Sequence, residues 1–193
     1  MGIFDAIILG IIEGITEFLP VSSTAHLTIT EKLMGFSINS PDITAFTAIV
    51  QVGAILSTLL YFRRDITRIG SAWFAGLVDK QKRKSMDYRF GWAVILGSIP
   101  IGIVGLAFKN QIEGDLRSLW VIAGALSIWS GVMWLADYAA KQTHSEKDVT
   151  WKHTLIIGIT QCLALIPGVS RSGATLSAGL FLGFDRVTVM RLT

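Results

Sequence analysis

The chain has 193 residues, of which 51% are hydrophobic and only 16% are charged, with 17 basic side chains against 14 acidic ones. A soluble domain carries about a quarter charged residues, so this composition indicates a protein embedded in lipid. The single cysteine, Cys162, excludes an internal disulfide and a cysteine-cluster metal site, and the clustering of the basic residues in one segment argues against a nucleic-acid-binding face.

The first predicted element is a re-entrant helix hairpin over residues 3–35, which is broken at Pro20. Its arms, 3–20 and 21–35, are each near the lower limit for crossing a bilayer and contain polar groups. A broken backbone of this kind is tolerated in lipid only where protein or a water-filled cavity covers it.

Two glutamates precede this break. Glu13 and Glu17 are four residues apart and share one face of a helix. Two carboxylates buried together repel each other unless a proton or a cation joins them, and hard oxygen ligands of this kind suit Mg²⁺ or Ca²⁺. The alternative is a structural pair that hydrogen-bonds to neighbouring helices.

Hydroxyl groups and a histidine follow the break. Ser22, Ser23 and Thr24 open the second helix of the hairpin, where unpaired backbone N–H groups favour an anion such as phosphate. One of these hydroxyls is expected to be an ordinary N-cap. Because Ser23 and His26 are three residues apart, the imidazole can reach the hydroxyl, which places a nucleophile beside a base. A purely structural histidine is the alternative.

Three uncharged stretches follow, and each is long enough to cross a hydrocarbon core of about 30 Å as a helix; they cover residues 43–62, 90–108 and 118–136. The segment 63–89 between the first two carries eight basic residues against three acidic ones, which predicts a cytoplasmic loop. Alternation then places 109–117 outside and 137–152 in the cytoplasm. Four tryptophans fall near the ends of the spans, where aromatic belts lie: Trp92, Trp120, Trp134 and Trp151.

The last element, 154–184, resembles the first and predicts a second hairpin, broken at Pro167. The aligned pairs are Gly10 with Gly158, Glu13 with Gln161, Pro20 with Pro167, and Val21-Ser22 with Val169-Ser170. Three spans lie between the hairpins, so the hairpins should enter from opposite faces as an inverted-topology repeat whose tips meet near the midplane. Chance similarity between glycine-rich apolar sequences is the alternative.

An arginine follows the second break. Arg171 stands between Ser170 and Ser172 and is followed by Gly173. Arginine recognises phosphate oxygens with a forked pair of donors, and glycine lets a backbone approach closely. Since its own arm has no carboxylate, Arg171 needs an anion from elsewhere, which is either a substrate or one of the two glutamates of the first hairpin in a structural ion pair.

The predicted fold is therefore an all-α polytopic membrane protein, a single integral membrane domain over 1–193. Repeat one covers 1–138, and 153–193 is the start of repeat two. Completing the symmetry needs roughly 70–100 further residues, at about 20 per span plus loops, so we expect either a fragment or partner spans from another subunit.

These groups together suit phosphoryl transfer, because that chemistry depends on positioning and on electrostatic stabilisation. A site within the bilayer implies a lipid-borne substrate. The alternative from another class is a transporter of polyprenyl phosphate, because inverted repeats with broken helices also bind anionic substrates in secondary carriers.

The two broken stretches resemble the signature motifs of the bacterial undecaprenyl-diphosphatase family, also called the bacitracin-resistance protein family. The motifs are Glu-Gly-Ile-Thr-Glu-Phe-Leu-Pro-Val-Ser-Ser-Thr-Ala-His over 13–26 and Pro-Gly-Val-Ser-Arg-Ser-Gly-Ala-Thr over 167–175. The resemblance implies an inner-membrane enzyme that removes one phosphate from undecaprenyl diphosphate. Its product is the lipid carrier for peptidoglycan and other envelope polymers. It also implies a divalent cation, a homodimer, a site open to the outer face, and further membrane helices beyond residue 193.

The resemblance further implies an active site formed by both motifs: Glu13, Glu17, Ser22, Ser23, Thr24, His26, Ser170, Arg171 and Ser172. We predict that Ser23 attacks the outer phosphorus with His26 as general base, or that His26 is itself the covalent nucleophile. Arg171 and the second helix start, including Gly173, would hold the phosphate oxygens. Glu13 and Glu17 would bind Mg²⁺ or Ca²⁺, or orient His26.

Overall fold

A computed structural model describes every residue except Asn39, Gly114, Asp115, Arg117 and Thr193. The described residues form ten α-helices, three short 3-10 helices and no β-strand. The α-helices are α1 (Ile3–Thr16), α2 (Ser23–Leu33), α3 (Pro41–Tyr61), α4 (Arg63–Val78), α5 (Met86–Ala107), α6 (Lys109–Glu113), α7 (Leu119–Ala139), α8 (Trp151–Gln161), α9 (Arg171–Phe181) and α10 (Arg186–Leu192).

Three helices, α3, α5 and α7, are long and apolar enough to cross a membrane, with 21 or 22 residues and mean hydropathies between 1.7 and 2.0. They confirm the three predicted spans, although α5 begins at Met86 and α7 ends at Ala139, a few residues outside the predicted bounds. At most 22% of their apolar stretches is buried inside the protein, so most of their apolar surface faces outward, as a lipid-facing surface should.

The segment 63–89, predicted as a loop, contains a helix. Helix α4 lies against the start of α5, where Trp73 contacts Gly91 and Tyr88 contacts Gly76. The part of α4 that makes these contacts, 69–78, is uncharged, but the arginines before it and the lysines after it gave the whole segment the charge pattern of a loop. Of the predicted outer loop 109–117, Gly114, Asp115 and Arg117 lie outside the described residues, and α6 covers its first part.

Each predicted hairpin is a pair of helices, α1 with α2 and α8 with α9, and each first arm ends before its proline. Helix α1 ends at Thr16, and α8 ends at Gln161 before a 3-10 turn leads to Ile166. Ile166 has extended backbone (φ −78°, ψ 119°), the conformation that the residue before a proline prefers. The prolines therefore lie in the turns rather than at the ends of the helices.

The second hairpin runs alongside α5 and α7. Gly158 contacts the backbone of Gly97, and Leu165 contacts Gly105 near the end of α5. The return arm passes Ile122 and then Met133 of α7. The turn at Leu165 and Gly168 therefore lies near the ends of these two spans, whereas Gly173, which approaches Pro20 of the first hairpin, lies beside Met133 further along α7.

Both ends of the second hairpin lie at the opposite end of those spans. Before α8, the carbonyl of Val149 accepts a hydrogen bond from Arg89 near the start of α5, at 3.4 Å. After α9, Arg186 pairs with Asp137 near the end of α7. The chain thus enters and leaves this hairpin at one end of the helical bundle.

Helix α9 is buried along most of its length. Seven of its eleven residues are buried, and most of these are small, which lets neighbouring helices approach closely. Gly179 faces Val189 of α10 at a distance that leaves no room for a side chain. This packing holds Arg171, the first residue of α9, at a defined place beside the first hairpin.

Candidate active site

The candidate site lies where the turn of the first hairpin meets the first turn of α9. Glu17 is the C-cap of α1, Ser23 is the first residue of α2, and Arg171 is the first residue of α9. These positions are separated by up to 154 residues in the sequence. All three side chains come from helix ends, where the fold brings the two repeated stretches together.

Glu17 joins the other two residues through its carboxylate. The hydroxyl of Ser23 donates a hydrogen bond to Oε2 of Glu17 at 2.5 Å. The guanidinium of Arg171 donates to Oε1 of the same carboxylate at 3.2 Å. One acid, one hydroxyl and one permanent cation are therefore in direct contact.

The ion pair between Arg171 and Glu17 is accessible to a ligand. The side chain of Arg171 is 60% exposed and that of Glu17 is 27% exposed. An ion pair with this exposure contributes little to the free energy of folding. A guanidinium has five N–H donors in a fork, so Arg171 has donor capacity for an anion while it contacts Glu17.

Glu13 is almost fully buried, one turn before Glu17, with 1% of its surface exposed. Within the described part of the chain, neither of its carboxylate oxygens has a hydrogen-bond partner. A buried carboxylate without partners is costly, and a proton or a bound cation would remove that cost.

The donor set around Glu13 fits a divalent cation that takes only part of its ligands from the protein. Among the described residues, no group of three His, Cys, Asp or Glu side chains could hold a metal ion. Of the two glutamates, Glu13 has both oxygens without a partner in the described residues, whereas the oxygens of Glu17 are engaged by Ser23 and Arg171. Mg²⁺ is commonly bound by one or two carboxylates together with substrate phosphates and water.

His26 does not contact the Ser23 hydroxyl as the sequence spacing suggested. Its Nδ1 lies 2.9 Å from the carbonyl oxygen of Ser22, one turn back along α2. Because a carbonyl only accepts, Nδ1 donates this hydrogen bond. The hydroxyl of Ser23 is directed at Glu17 instead, so the acid rather than the imidazole is placed to accept its proton.

The turn before α2 is strained at Ser22. This buried serine has φ 67° and ψ 91°, in a region that non-glycine residues rarely adopt. Its carbonyl accepts from both the backbone N–H and the ring of His26. Its side chain makes no capping hydrogen bond, so the expected ordinary N-cap is not formed here, and Thr24 is exposed. Backbone strain of this kind is found often at functional sites.

The second tip has conventional capping. The hydroxyl of Ser170 accepts from the backbone N–H of Gly173 at 3.1 Å and lies 3.1 Å from the hydroxyl of Ser172. A Cβ at Gly173 would lie 2.8 Å from the sulfur of Met133 and 3.3 Å from the carbonyl oxygen of Pro20. Gly173 therefore allows the two tips to touch, which explains a glycine at this position.

The sequence analysis did not single out the pair of Glu31 and Thr47. Glu31 is 1% exposed and accepts a hydrogen bond from the Thr47 hydroxyl at 2.6 Å, which links α2 to α3. The available signal was a carboxylate inside the second arm of a hairpin that was otherwise predicted to be embedded in lipid.

Comparisons with known proteins give a consistent result over the whole chain. A family model described as "Bacitracin resistance protein BacA" matches residues 6–193. "Undecaprenyl-diphosphatase 3" of Frankia casuarinae is 65% identical over 193 residues, covering 100% of this chain and 69% of that protein. "Undecaprenyl-diphosphatase" of Cutibacterium acnes is 58% identical, covering 100% of this chain and 68% of that protein. The protein of the same name from Acidothermus cellulolyticus is 53% identical, covering 98% and 68%.

Proposed function

The chain belongs to the bacitracin resistance protein BacA family, and on that premise we propose that it is an undecaprenyl-diphosphate phosphatase. It hydrolyses the phosphoric anhydride of undecaprenyl diphosphate to undecaprenyl phosphate and inorganic phosphate, which recycles the lipid carrier for peptidoglycan and envelope polymers. The relatives carry the name of a phosphatase, and nothing in the comparisons favours the alternative of a polyprenyl-phosphate transporter.

The observation that carries this proposal for the chain's own residues is the contact of Ser23 and Arg171 with one carboxylate, Glu17. A binding protein needs the cation but has no use for a hydroxyl that donates to a carboxylate beside it. A phosphatase needs both, because a nucleophile must lose a proton while negative charge on the phosphate is stabilised.

In the proposed first step, the Ser23 oxygen attacks the terminal phosphorus of the diphosphate. The Oγ–P bond forms, the anhydride P–O bond breaks, and undecaprenyl phosphate leaves with the bridging oxygen. Glu17 accepts the Ser23 proton, since its Oε2 is the partner of that hydroxyl. Arg171 turns from Glu17 to the transferred phosphoryl group and offsets its negative charge.

Glu17 then passes the Ser23 proton to the departing phosphate oxygen of the lipid and is a carboxylate again. In the second step, water attacks the phosphoserine, and Glu17 accepts a proton from the water and returns it to the Ser23 oxygen as that oxygen leaves. The water oxygen–phosphorus bond forms, the Oγ–P bond breaks, and inorganic phosphate and free Ser23 are restored. This scheme replaces His26 by Glu17 as the general base. The alternative of His26 as nucleophile would use its Nε2, since Nδ1 donates to the Ser22 carbonyl.

A divalent cation, Mg²⁺ or Ca²⁺, is proposed as cofactor, held by Glu13 and Glu17. When bound, it would neutralise charge on the diphosphate oxygens. The support for this assignment is that both oxygens of Glu13 are buried and without partners in the described part of the chain. We expect Glu13→Gln to weaken Mg²⁺ binding, measured by calorimetry on the detergent-solubilised protein, as well as lower the rate.

We propose that both helix pairs are re-entrant, that they form an inverted-topology repeat, and that the protein lies in the inner membrane. The support is that the second pair enters and leaves at the end of the bundle nearest the basic segment. Cysteine labelling from either face, in a variant that lacks Cys162, would test the orientation.

A homodimer is also proposed, and measurement of the mass of the protein in detergent would test it.

An assay of phosphate release distinguishes a phosphatase from a lipid transporter. Purified protein in detergent should release phosphate from undecaprenyl diphosphate, and both chelation of divalent cations and Arg171→Ala should abolish release. Rapid quenching with ³²P-labelled substrate should place label on Ser23. Label on His26 would identify the alternative nucleophile, and label on neither would favour direct attack by water. Lipid transport without phosphate release would overturn the assignment.

A further inference from the structure

A cavity lies away from the candidate active site, at the end of the bundle where α5 and α8 begin. Its volume is about 650 Å³. It is bounded by the start of α5, by Lys84 just before α5, and by residues 146–152 at the start of α8. None of the residues of the candidate active site lines it.

The charged residues of this cavity are mostly cationic. Lys84, Arg89, Lys147 and Lys152 line it, against a single acid, Glu146. Glu146 is already paired with Arg191 at 2.8 Å. The lining therefore has an excess of positive charge, which favours an anionic ligand.

The rest of the lining is apolar and aromatic. Phe90 and Leu96 of α5 form part of its wall, and Trp92 and Trp151 stand at its edge with 36% and 61% of their surfaces exposed. The Nζ of Lys152 lies 5.7 Å from the ring centre of Trp151. Tryptophans in this position are typical of the boundary between hydrocarbon and headgroups.

These features together fit an amphipathic ligand whose headgroup is negatively charged. A soluble phosphate would use the lysines but leave the apolar wall along α5 without a function. The cavity opens beside a membrane-spanning helix, and the basic segment 63–89 places it at the cytoplasmic face. Basic pockets between helices at this face bind anionic lipid headgroups.

We propose that this cavity binds an anionic phospholipid of the cytoplasmic leaflet. Its phosphodiester headgroup would lie among Lys84, Lys147 and Lys152, and an acyl chain would extend along Phe90 and Leu96. The site is separate from the diphosphate site and does not depend on the catalytic proposal. Lipid binding in this cavity would give the protein a preference for anionic lipid at its cytoplasmic face, away from the candidate active site.

Native mass spectrometry of the detergent-solubilised chain tests this proposal with phosphatidylglycerol and phosphatidylcholine as matched probes. The cavity variant is Lys84→Gln, Lys147→Gln and Lys152→Gln together. The control variant is Arg64→Gln, Lys80→Gln and Lys82→Gln together, which removes the same charge from exposed residues that do not line the cavity. All six side chains are exposed, so both variants should fold.

The unmodified chain should bind phosphatidylglycerol in preference to phosphatidylcholine. The cavity variant should bind phosphatidylglycerol about a hundredfold more weakly, or about fivefold per lysine, while the control variant changes by less than about threefold. Equal losses in both variants would show a general electrostatic attraction and overturn the site. So would equal binding of the two lipids, or competition by glycerol 3-phosphate as effective as that of the intact lipid.

Discussion

The two hairpin tips share a proline and a serine-containing turn, yet they reach their positions by different means. In the first tip the backbone leaves its ordinary range at Ser22 (φ 67°), and the side chain there caps nothing. In the second, the unusual backbone is at Gly168 (φ 104°), and Ser170 caps the helix that follows. The positive φ therefore falls on a serine in the first copy, where it is strained, and on a glycine in the second, where it is not.

The tips also differ in what surrounds them. The first arms, α1 and α8, each bury three residues, whereas among the return arms α2 buries five of eleven residues and α9 buries seven. The more deeply packed return arm of the second pair presents Arg171. The first tip carries the acids and the hydroxyl, and its strain is consistent with a segment shaped for chemistry rather than for stability.

The largest expected effect concerns Arg171, the positively charged residue that the second tip places beside Glu17. Arg171→Ala should lower kcat for phosphate release by about a thousandfold, because the permanent positive charge in contact with Glu17 is lost. Arg171→Lys should restore only part of the rate, since a lysine lacks the forked donor geometry. Arg186→Ala removes an exposed ion pair with Asp137 and serves as the control, with little expected change. A rate for Arg171→Ala within tenfold of the unmodified protein would refute its role.

Matched serine variants test whether the two tips have different functions. Ser23→Ala should lower kcat by at least about a hundredfold, because the hydroxyl that donates to Glu17 disappears. Ser170→Ala should mainly lower stability, by about 1 kcal/mol, because it removes an N-cap. Phosphate release and the melting temperature in detergent measure the two effects. Equal kinetic losses in both variants would show that the tips share the nucleophilic role.

The contact between the tips is tested at Gly173. A side chain there meets the sulfur of Met133 and the carbonyl of Pro20, so Gly173→Ala should separate Arg171 from Glu17 and lower kcat/KM by about tenfold. Gly124→Ala is the control, because that glycine on α7 has open space around it. Unchanged kinetics in Gly173→Ala would mean that the approach of the tips is not critical.

The smallest expected effects concern the backbone of the two turns. Gly168→Ala should lower the melting temperature, at a cost of at least about 1 kcal/mol, because its φ is unfavourable for alanine and the new carbon would lie 2.7 Å from the carbonyl oxygen of Ile122. Ser22→Gly should be neutral or slightly stabilising, because glycine adopts that backbone without strain. A large loss of stability in Ser22→Gly would contradict the strain assigned to the first tip.

Much of the architecture could be predicted from the sequence. The spans α3, α5 and α7 follow from uninterrupted apolar length, and the breaks follow from Pro20 and Pro167, because these signals are local. Helix α4 was missed because its arginines fit a charged loop as well as one face of a helix. The contacts of the second tip with α5 and α7 came only from the structure, because the symmetry of a repeat does not specify the register of one helix against another.

The residues of the candidate site could be named from the sequence, but their partners could not. Spacing along α2 suggested that Ser23 would bond His26, whereas the fold turns the hydroxyl to Glu17 and leaves the ring on the Ser22 carbonyl. Several acceptors lie within reach of one short side chain, so spacing alone cannot choose among them.

Local chemistry alone thus determined that this chain is a helical membrane protein with two broken, polar segments, because hydropathy and proline act within a few residues. Only the tertiary structure decided that Arg171 meets Glu17 across 154 residues, since that contact depends on the close packing of α9 against α7 and on the absence of a side chain at Gly173.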